Sequence, residues 1–399
     1  LRCAVWDEHQ QAATARYLRH ALAAAPSSAT VATEDRPLVD ERVLAAVCGH
    51  AAPASPLPTP DARPRPQTLQ SMVRNPPSLL RPEVWRHSLQ AKVTTQPVCD
   101  AQHVFIATHT GAVDAFDLTD GAAAWPQPAQ LGAAPGDGMT LAGDLLWVPA
   151  HDGVLYALRA ASGMIVQRVA IGGRLSSAPL AVGDRLYVSV DISRERPDDK
   201  AAGQIVAIHA QSGHTLGAWR VSSHGLRGQP VAHQGLLYVG DRQGAFFHLD
   251  VARNRVEPLA QARIGRILGA AAVDARRGQV IVGGTFGVTA VDFTGRVRWT
   301  ARPGGSVGGV VAQPLVCDDT VFVGAADGQV HMLRAGDGQP AHPPFATGGP
   351  IATAPVAVRH LVVAGSNDGS LYALEAETGK QFWSYRSGAA VVATPTVAP

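Results

Sequence analysis

The chain has 399 residues, of which 46% are hydrophobic and 17% are charged, and its formal net charge is +2. This composition excludes an intrinsically disordered chain, and the small net charge favours no class of charged partner. No apolar run is long enough to span a bilayer, so the sequence predicts no transmembrane segment. The sequence assigns no cellular compartment.

The first 83 residues differ in composition from the rest of the chain. Residues 7–24, DEHQQAATARYLRHALAA, contain no Pro or Gly and predict a helix, and residues 39–50 predict a second one. Residues 52–67 are rich in Pro and predict an extended linker. We therefore divide the chain into a helical segment over 1–51, a linker over 52–83 and a third region over 84–399. The helical segment is either the tail of a preceding domain or a pad against the following one.

The third region repeats at a nearly constant interval. A glycine that opens a short apolar run recurs at intervals of 42, 50, 41, 43, 41 and 41 residues, at Gly111, Gly153, Gly203, Gly244, Gly287, Gly328 and Gly369. Within the repeat 351–383, four short apolar runs alternate with turns such as Asn367-Asp368-Gly369, which is typical of antiparallel hairpins. Four strands per repeat at this period predict an all-β fold, a β-propeller of four-stranded antiparallel blades.

The repeats predict seven complete blades between residues 93 and 383. Residues 84–88 resemble an outer strand without inner partners, and residues 390–395 resemble an inner strand without outer partners. We therefore expect the end strands of an incomplete eighth blade, with its two middle strands encoded beyond residue 399 of a longer polypeptide. The alternative, a seven-bladed ring with two redundant strands, fits the sequence nearly as well.

Five tryptophans recur at what we interpret as one position of the outer strand. A large ring at that position can pack between neighbouring blades, and we predict this docking role for Trp85, Trp125, Trp219, Trp299 and Trp383. The runs 373–383, ALEAETGKQFW, and 115–125, AFDLTDGAAAW, resemble the tryptophan-docking repeat of quinoprotein (PQQ-type) β-propellers. The resemblance covers roughly residues 84–399 and implies the fold. It implies no activity, because such repeats occur in enzymes and in non-catalytic scaffolds.

The enzymes of this class are PQQ-dependent dehydrogenases. For them the resemblance implies an adjacent cysteine pair, a Ca²⁺ site, an Asp base and long insertions that build a pocket. The repeats here are near minimal length, and none of the four cysteines is adjacent to another. We therefore predict no catalytic, cofactor-binding or metal-binding residue, with PQQ and calcium only under the alternative below. We also expect no disulfide between Cys99 and Cys317.

Two arginine-rich regions are candidate partner surfaces. An insertion in the third repeat, residues 191–202, contains Arg194 and Arg196, and the fourth and fifth repeats contain Arg263, Arg266, Arg276 and Arg277. Arginine is suited to binding carboxylates and phosphates. No aromatic residues alternate with these arginines as in a single-stranded nucleic-acid platform, so we predict no nucleic-acid partner. A tolerated solvent loop and scattered solvated charges are the alternative interpretations.

The sequence favours a non-catalytic propeller scaffold that binds another protein or a fused domain of its own polypeptide. It resembles the outer-membrane assembly lipoprotein of Gram-negative bacteria and the propeller of beta-alanine-activating enzymes more than PQQ dehydrogenases. The alternative is a PQQ-dependent quinoprotein oxidoreductase.

Overall fold

The computed structural model describes residues 84–89, 91–192, 202–261, 265–304, 309–310 and 312–398. The predicted helices and the Pro-rich linker lie outside the described residues, and so do Arg194, Arg196 and Arg263. No helix occurs in the described ranges.

Seven antiparallel four-stranded sheets follow one another along the chain, and each is a blade built from consecutive strands. Blades 1 and 2 contain β1 (Val98–Cys99), β2 (His103–Ala107), β3 (Ala112–Asp117), β4 (Ala129–Gln130), β5 (Thr140–Ala142), β6 (Leu145–Pro149), β7 (Val154–Arg159) and β8 (Ile165–Ala170). Blades 3 and 4 contain β9 (Leu180–Val182), β10 (Arg185–Ile192), β11 (Ala202–His209), β12 (Thr215–Ser222), β13 (Val231–His233), β14 (Leu236–Gly240), β15 (Ala245–Asp250) and β16 (Arg255–Gln261). Blades 5, 6 and 7 contain β17 (Ala272–Asp274), β18 (Gln279–Gly284), β19 (Gly287–Asp292), β20 (Val297–Ala301), β21 (Leu315–Cys317), β22 (Thr320–Gly324), β23 (Gln329–Arg334), β24 (Pro340–Ala346), β25 (Val356–Val358), β26 (Leu361–Gly365), β27 (Ser370–Glu375) and β28 (Gln381–Arg386). The prediction of an all-β propeller with seven complete blades is confirmed.

The four strands of each blade are named A to D in chain order, with A innermost. Middle strands such as β6, β18 and β19 are buried along their whole length, because the neighbouring blades cover both sides of the sheet. The outer strand β28 consists only of exposed and half-buried residues. Strand position in the blade therefore explains why some runs are uniformly apolar and others contain polar residues.

The strand directions divide the turns between two faces of the ring. Because consecutive strands are antiparallel, the A–B and C–D turns lie on one face, which we call the A–B face. The B–C turns and the connections between blades lie on the opposite face, the B–C face. A turn aspartate fixes the B–C turn of blade 7: Asp368 accepts hydrogen bonds from the Ser370 N–H at 2.8 Å and the Tyr372 hydroxyl at 2.7 Å.

The hydrophobic core is divided among the joints, meaning the contacts between neighbouring blades. Phe105 and Val113 of blade 1, for example, share one buried cluster with Leu146 and Tyr156 of blade 2. Equivalent clusters join each following pair up to blades 6 and 7. Each blade is therefore stabilised mainly by the two blades beside it.

Residues 390–398 lie between blades 7 and 1. Val391 is fully buried against Val363 and Leu371 of blade 7, and its N–H donates to the Ser366 carbonyl at 3.0 Å. Ala393 packs in a cluster of blade 1. This segment therefore contacts both ends of the series of blades, although it forms no strand ladder among the described residues.

Residues 84–89 also contact blades 7 and 1. The Trp85 indole N–H donates to the Leu118 carbonyl of blade 1 at 3.0 Å. On the other side, the Arg86 guanidinium donates to the Tyr385 hydroxyl of blade 7 and lies 5.9 Å from the centre of that ring. The first and last described segments of the chain thus meet at the same place in the ring.

Cys99 and Cys317 form no disulfide with each other, as predicted. Cys99 belongs to blade 1, and its thiol donates to the Val397 carbonyl at 3.4 Å, so the segment 390–398 covers it. Burial raises the pKa of the Cys99 thiol to about 11.

We predict that Cys99 is alkylated slowly by iodoacetamide in the folded protein at pH 8. A thiol pKa of about 11 instead of 9.0 leaves roughly a hundredfold less thiolate at that pH. Peptide mapping by mass spectrometry measures the rate at Cys99 separately from the other cysteines. Unfolding in urea should restore the ordinary rate, and equal rates in the folded and unfolded protein would contradict the covering role of residues 390–398.

Candidate docking and interaction surfaces

Trp299 of the outer strand β20 and Trp125, which precedes the outer strand β4, bind the same feature of the next blade, its C–D turn. The Trp125 indole N–H donates to the Ala160 carbonyl of blade 2 at 2.8 Å. The Trp299 indole N–H donates to the Ala335 carbonyl of blade 6 at 2.9 Å. Trp125 is 4% exposed and Trp299 is 7% exposed, so each ring is buried in the joint that its hydrogen bond spans.

The turn that receives the indole requires glycine. Gly163, three residues after the acceptor Ala160, has φ +72°, and a Cβ there would lie 2.6 Å from the Trp125 ring. The left-handed backbone conformation of Gly163 and the close approach of the Trp125 ring therefore both exclude a side chain at this position. The Gly and Trp of the sequence repeat are two halves of one contact, contributed by adjacent blades.

Trp85, which lies outside the seven complete blades, also donates its indole N–H to a carbonyl of a C–D turn. Its acceptor, Leu118, precedes Gly121 by three residues, and a Cβ on Gly121 would lie 2.6 Å from the Trp85 ring. Residues 84–89 thus contact the C–D turn of blade 1 in the same way that blade 1 contacts the C–D turn of blade 2.

Trp219 does not occupy the position that we assigned to it. Trp125, Trp299 and Trp383 each follow their turn glycine by four residues, whereas Trp219 follows Gly213 by six. Residues two apart share one side of a strand, and the Trp219 ring extends back over Gly217, where a Cβ would lie 2.8 Å from it. Its indole N–H still reaches blade 4, donating to the side-chain oxygen of Asn254.

Trp147 has a docking contact that the sequence repeat did not indicate. It lies on the second strand of blade 2 and is fully buried, and its indole N–H donates to the Ala210 carbonyl of blade 3 at 3.0 Å. Gln167 occupies the outer-strand position and donates to the Gln211 carbonyl at 2.7 Å. No repeated motif could have identified Trp147, because the equivalent residues of other blades are not tryptophan.

Trp383 has a different environment. Its ring packs beside Val363 and Leu371 and is half-buried, and no acceptor for its indole N–H is present among the described residues.

The structure separates the arginines that we grouped as a candidate partner surface. Arg276 and Arg277 lie in the A–B turn of blade 5, and both pair with carboxylates. Arg276 lies 3.2 Å from Asp318 of blade 6, and Arg277 lies 3.2 Å from Asp274. Arg277 also pairs with Asp319. These two arginines therefore connect blades 5 and 6 on the A–B face, while Arg266 lies on the B–C face.

Arg266 stands beside an exposed aromatic residue that the sequence analysis did not single out. Phe286, in the B–C turn of blade 5, is 58% exposed. A Cβ on Gly265 would lie 2.6 Å from its ring, and one on Gly287 would lie 3.2 Å from the side chain of Arg302. Arg266 and Arg302 are both exposed. Phe286, Arg266 and Arg302, which we call the blade 5 cluster, are thus neighbours on the B–C face.

The described residues lack the donor set that a quinoprotein metal site would need. Within the described ranges, no group of three or more His, Cys, Asp or Glu residues could hold a metal ion. Ca²⁺ needs several converging oxygen ligands, and the turn carboxylates Asp152 and Asp368 instead accept hydrogen bonds from Tyr156 and Tyr372. The described part of the chain therefore shows no cluster of His, Cys, Asp or Glu side chains suited to calcium. Among the described residues, no helix is both long and apolar enough to cross a membrane.

Docked four-stranded blades of this kind define a PQQ-type β-propeller. The chain belongs to the family described as outer membrane protein assembly factor BamB, whose model matches residues 82–257, 201–339, 256–384 and 342–399. The predicted resemblance is confirmed. No curated protein sequence matches the chain.

Three solved structures share the fold. BamB from Moraxella catarrhalis is 22% identical over 73% of this chain and 85% of its own, with a TM-score of 0.57. The computationally designed Ika8 protein is 16% identical over 78% of this chain and 90% of its own, with a TM-score of 0.61. A europium-containing methanol dehydrogenase is 13% identical over 77% of this chain and 81% of its own, with a TM-score of 0.58.

We predict that Trp125→Ala lowers the free energy of unfolding by about 3–5 kcal/mol, because it empties a buried site and leaves the Ala160 carbonyl without its donor. Gly163→Ala should also destabilise, by about 1–3 kcal/mol, through its positive φ and the contact with the ring. Urea unfolding followed by circular dichroism measures both.

Trp383→Ala is the matched control for these substitutions. Its ring is half-buried, so its loss should be clearly smaller than that of Trp125→Ala. Equal losses for the two variants would show that the hydrogen bond and the turn glycine contribute little to the joint.

Proposed function

We propose that the chain is a non-catalytic propeller scaffold that binds another protein or another domain of its own polypeptide. One observation carries this proposal: the side chains that could perform chemistry are engaged in holding turns and joints. Asp327 lies 2.8 Å from His331, and Asp152 accepts from Tyr156 at 2.8 Å. The exposed blade 5 cluster has instead the residue types of a protein interface, in which aromatic residues and Arg are enriched.

The alternative, a PQQ-dependent oxidoreductase, has less support. The likeness to the methanol dehydrogenase is one of fold, at 13% identity. The lack of a metal donor cluster among the described residues and the absence of adjacent cysteines in the sequence both oppose that function. The family of BamB favours an assembly role, and we extend that role to this chain as a proposal.

We also propose that residues 84–89 and 390–398 are the outer and inner strands of an eighth blade. Three observations support this arrangement. Each segment contacts blade 7 and blade 1. Trp85 docks on blade 1 as an outer-strand tryptophan does, and Trp383 has no C–D turn to receive it among the described residues.

The scaffold function predicts no dye reduction when the protein is mixed with PQQ, Ca²⁺ and an alcohol or sugar. A PQQ-dependent methanol dehydrogenase serves as the positive control. Pull-down of the full-length protein from its own cell extract should in contrast recover a partner at constant stoichiometry. PQQ-dependent turnover would overturn the scaffold function, whatever the pull-down recovers.

The eighth-blade arrangement predicts that Trp85→Ala loosens the ring on both sides of residues 84–89. Hydrogen–deuterium exchange should become faster in blades 1 and 7 but not in blades 3 to 5, because the bridge between the two ends is weakened. Trp125→Ala is the control and should act on blades 1 and 2. Faster exchange confined to residues 84–92 would contradict the bridging role.

A further inference from the structure

The arginines on the two faces of the ring differ in their electrostatic partners. On the A–B face, arginines pair with nearby carboxylates: Arg253 with Asp250, Arg255 with Glu257, Arg276 with Asp318, Arg277 with Asp274 and Asp319, Arg298 with Asp292, and Arg334 with Asp337. On the B–C face, Arg242 pairs with Asp191, whereas Arg266 and Arg302 have no carboxylate partner among the described residues. Their charges are therefore available to a binding partner.

Other cations on the B–C face extend this charge. Lys92, Arg174 and Arg266 occupy the same position in blades 1, 3 and 5. The carbonyls of Lys92 and Arg266 accept from the B–C turns of their own blades, and the Arg174 carbonyl accepts from the Asp191 N–H of β10. Arg174 lies 3.2 Å from His151, whose pKa is lowered by burial and by the charges of Arg174 and Arg227. Arg174 and Arg227 therefore place positive charge beside this turn.

The carboxylates of the same face are mostly turned inward. Asp191 is 3% exposed and pairs with Arg242, and Asp241 is 1% exposed and accepts from Ser222. The turn carboxylate of Asp327 lies beside His331. Asp137 and Asp152 are exposed, and Asp137 lies within the electrostatic reach of Arg174 and Arg227. Among the described residues, this face therefore presents more cations than anions to solvent.

Phe286 distinguishes the blade 5 cluster from a solvated basic surface. Its ring lies against the backbone at Gly265 and is 58% exposed. The main chain around it is held by two hydrogen bonds, from the Thr285 N–H to the Arg266 carbonyl and from the Arg266 N–H to the Thr285 hydroxyl, both at 3.1 Å. An exposed aromatic ring on a braced turn, with arginine on either side, has the composition of an interface hot spot.

We infer that the blade 5 cluster is a docking site for an acidic polypeptide segment that carries an aromatic or aliphatic side chain. The inference rests on the proposed scaffold function and names its surface and the chemistry of its partner. Carboxylates of the segment pair with Arg266 and Arg302, and its apolar side chain covers Phe286. Nucleic acid is disfavoured as the occupant, because a strand of bases needs several aromatic platforms and the cluster offers one.

The test measures binding of a fluorescently labelled random copolymer of glutamate and tyrosine to the full chain by anisotropy. Labelled poly-L-glutamate and a labelled oligothymidylate are the two comparison probes. The wild-type chain should bind the copolymer more tightly than poly-L-glutamate, because the copolymer can cover Phe286 as well as pair with the arginines.

Two variants separate charge from apolar contact. The double variant Arg266→Glu/Arg302→Glu should weaken copolymer binding by at least about tenfold. Phe286→Ser should reduce the affinity for the copolymer to that for poly-L-glutamate. All substituted side chains are exposed, so thermal unfolding should stay near that of the wild type.

Matched controls lie on the A–B face. Met164 is 57% exposed, so Met164→Ser removes a similarly exposed apolar side chain, and Arg185→Glu/Arg276→Glu reverses two exposed arginines. These variants should bind the copolymer like the wild type. Equal losses in the controls, no copolymer binding, or tighter binding of oligothymidylate at the same residues would each overturn the inference.

Failure of the inference is distinguishable from failure of the scaffold function. If Arg266→Glu/Arg302→Glu recovers the same partner as the wild type in the pull-down, the docking site is wrong and the scaffold function stands. PQQ-dependent turnover would overturn the scaffold function, and the copolymer measurements would still decide whether the blade 5 cluster binds acidic segments.

Discussion

The ring depends on one contact, in which an indole N–H crosses a joint to a carbonyl of the neighbouring C–D turn. Apolar sheets alone could slide over each other, because burial is not directional. The hydrogen bonds of Trp125 and Trp299 each fix one sheet against the next at a single point, and the turn glycine allows the ring to approach it. These hydrogen bonds therefore set the orientation of the blades. The orientation of the blades in turn determines the arrangement of every surface loop.

The docking contact also explains why the two faces of the ring have different roles. The C–D turns receive the docking residues, and the A–B face around them is braced further by ion pairs between blades, such as Arg276 with Asp318. The B–C face lies at the other end of the strands, and its turns do not have to receive the docking residues. Its turns are held internally, by contacts such as that between Asp368 and Tyr372, and their outer side chains remain available for binding.

Most of the fold could be predicted from the sequence, because turn chemistry and spacing are local properties. Gly369 and the run 373–383 were sufficient to identify a blade. The site was less accessible. Trp147 docks from a different strand, and Trp219 docks from a position shifted by two residues, so neither follows the repeat. Arg266 and Arg277 are close in sequence but lie on opposite faces of the ring. Their separation depends on strand direction, which cannot be inferred from the number of residues between them.

The joints without tryptophan have a mechanical consequence. Between blades 4 and 5, the backbone of Leu259 lies where a docked ring would be, and between blades 6 and 7 Met332 fills the space at Gly379. A flexible thioether or a main-chain contact resists separation less than an anchored indole does. Of the joints between consecutive blades, these two would therefore separate first under tension. Because the first of them borders blade 5, a pull on Phe286 would be transmitted directly to a weak joint of the molecule.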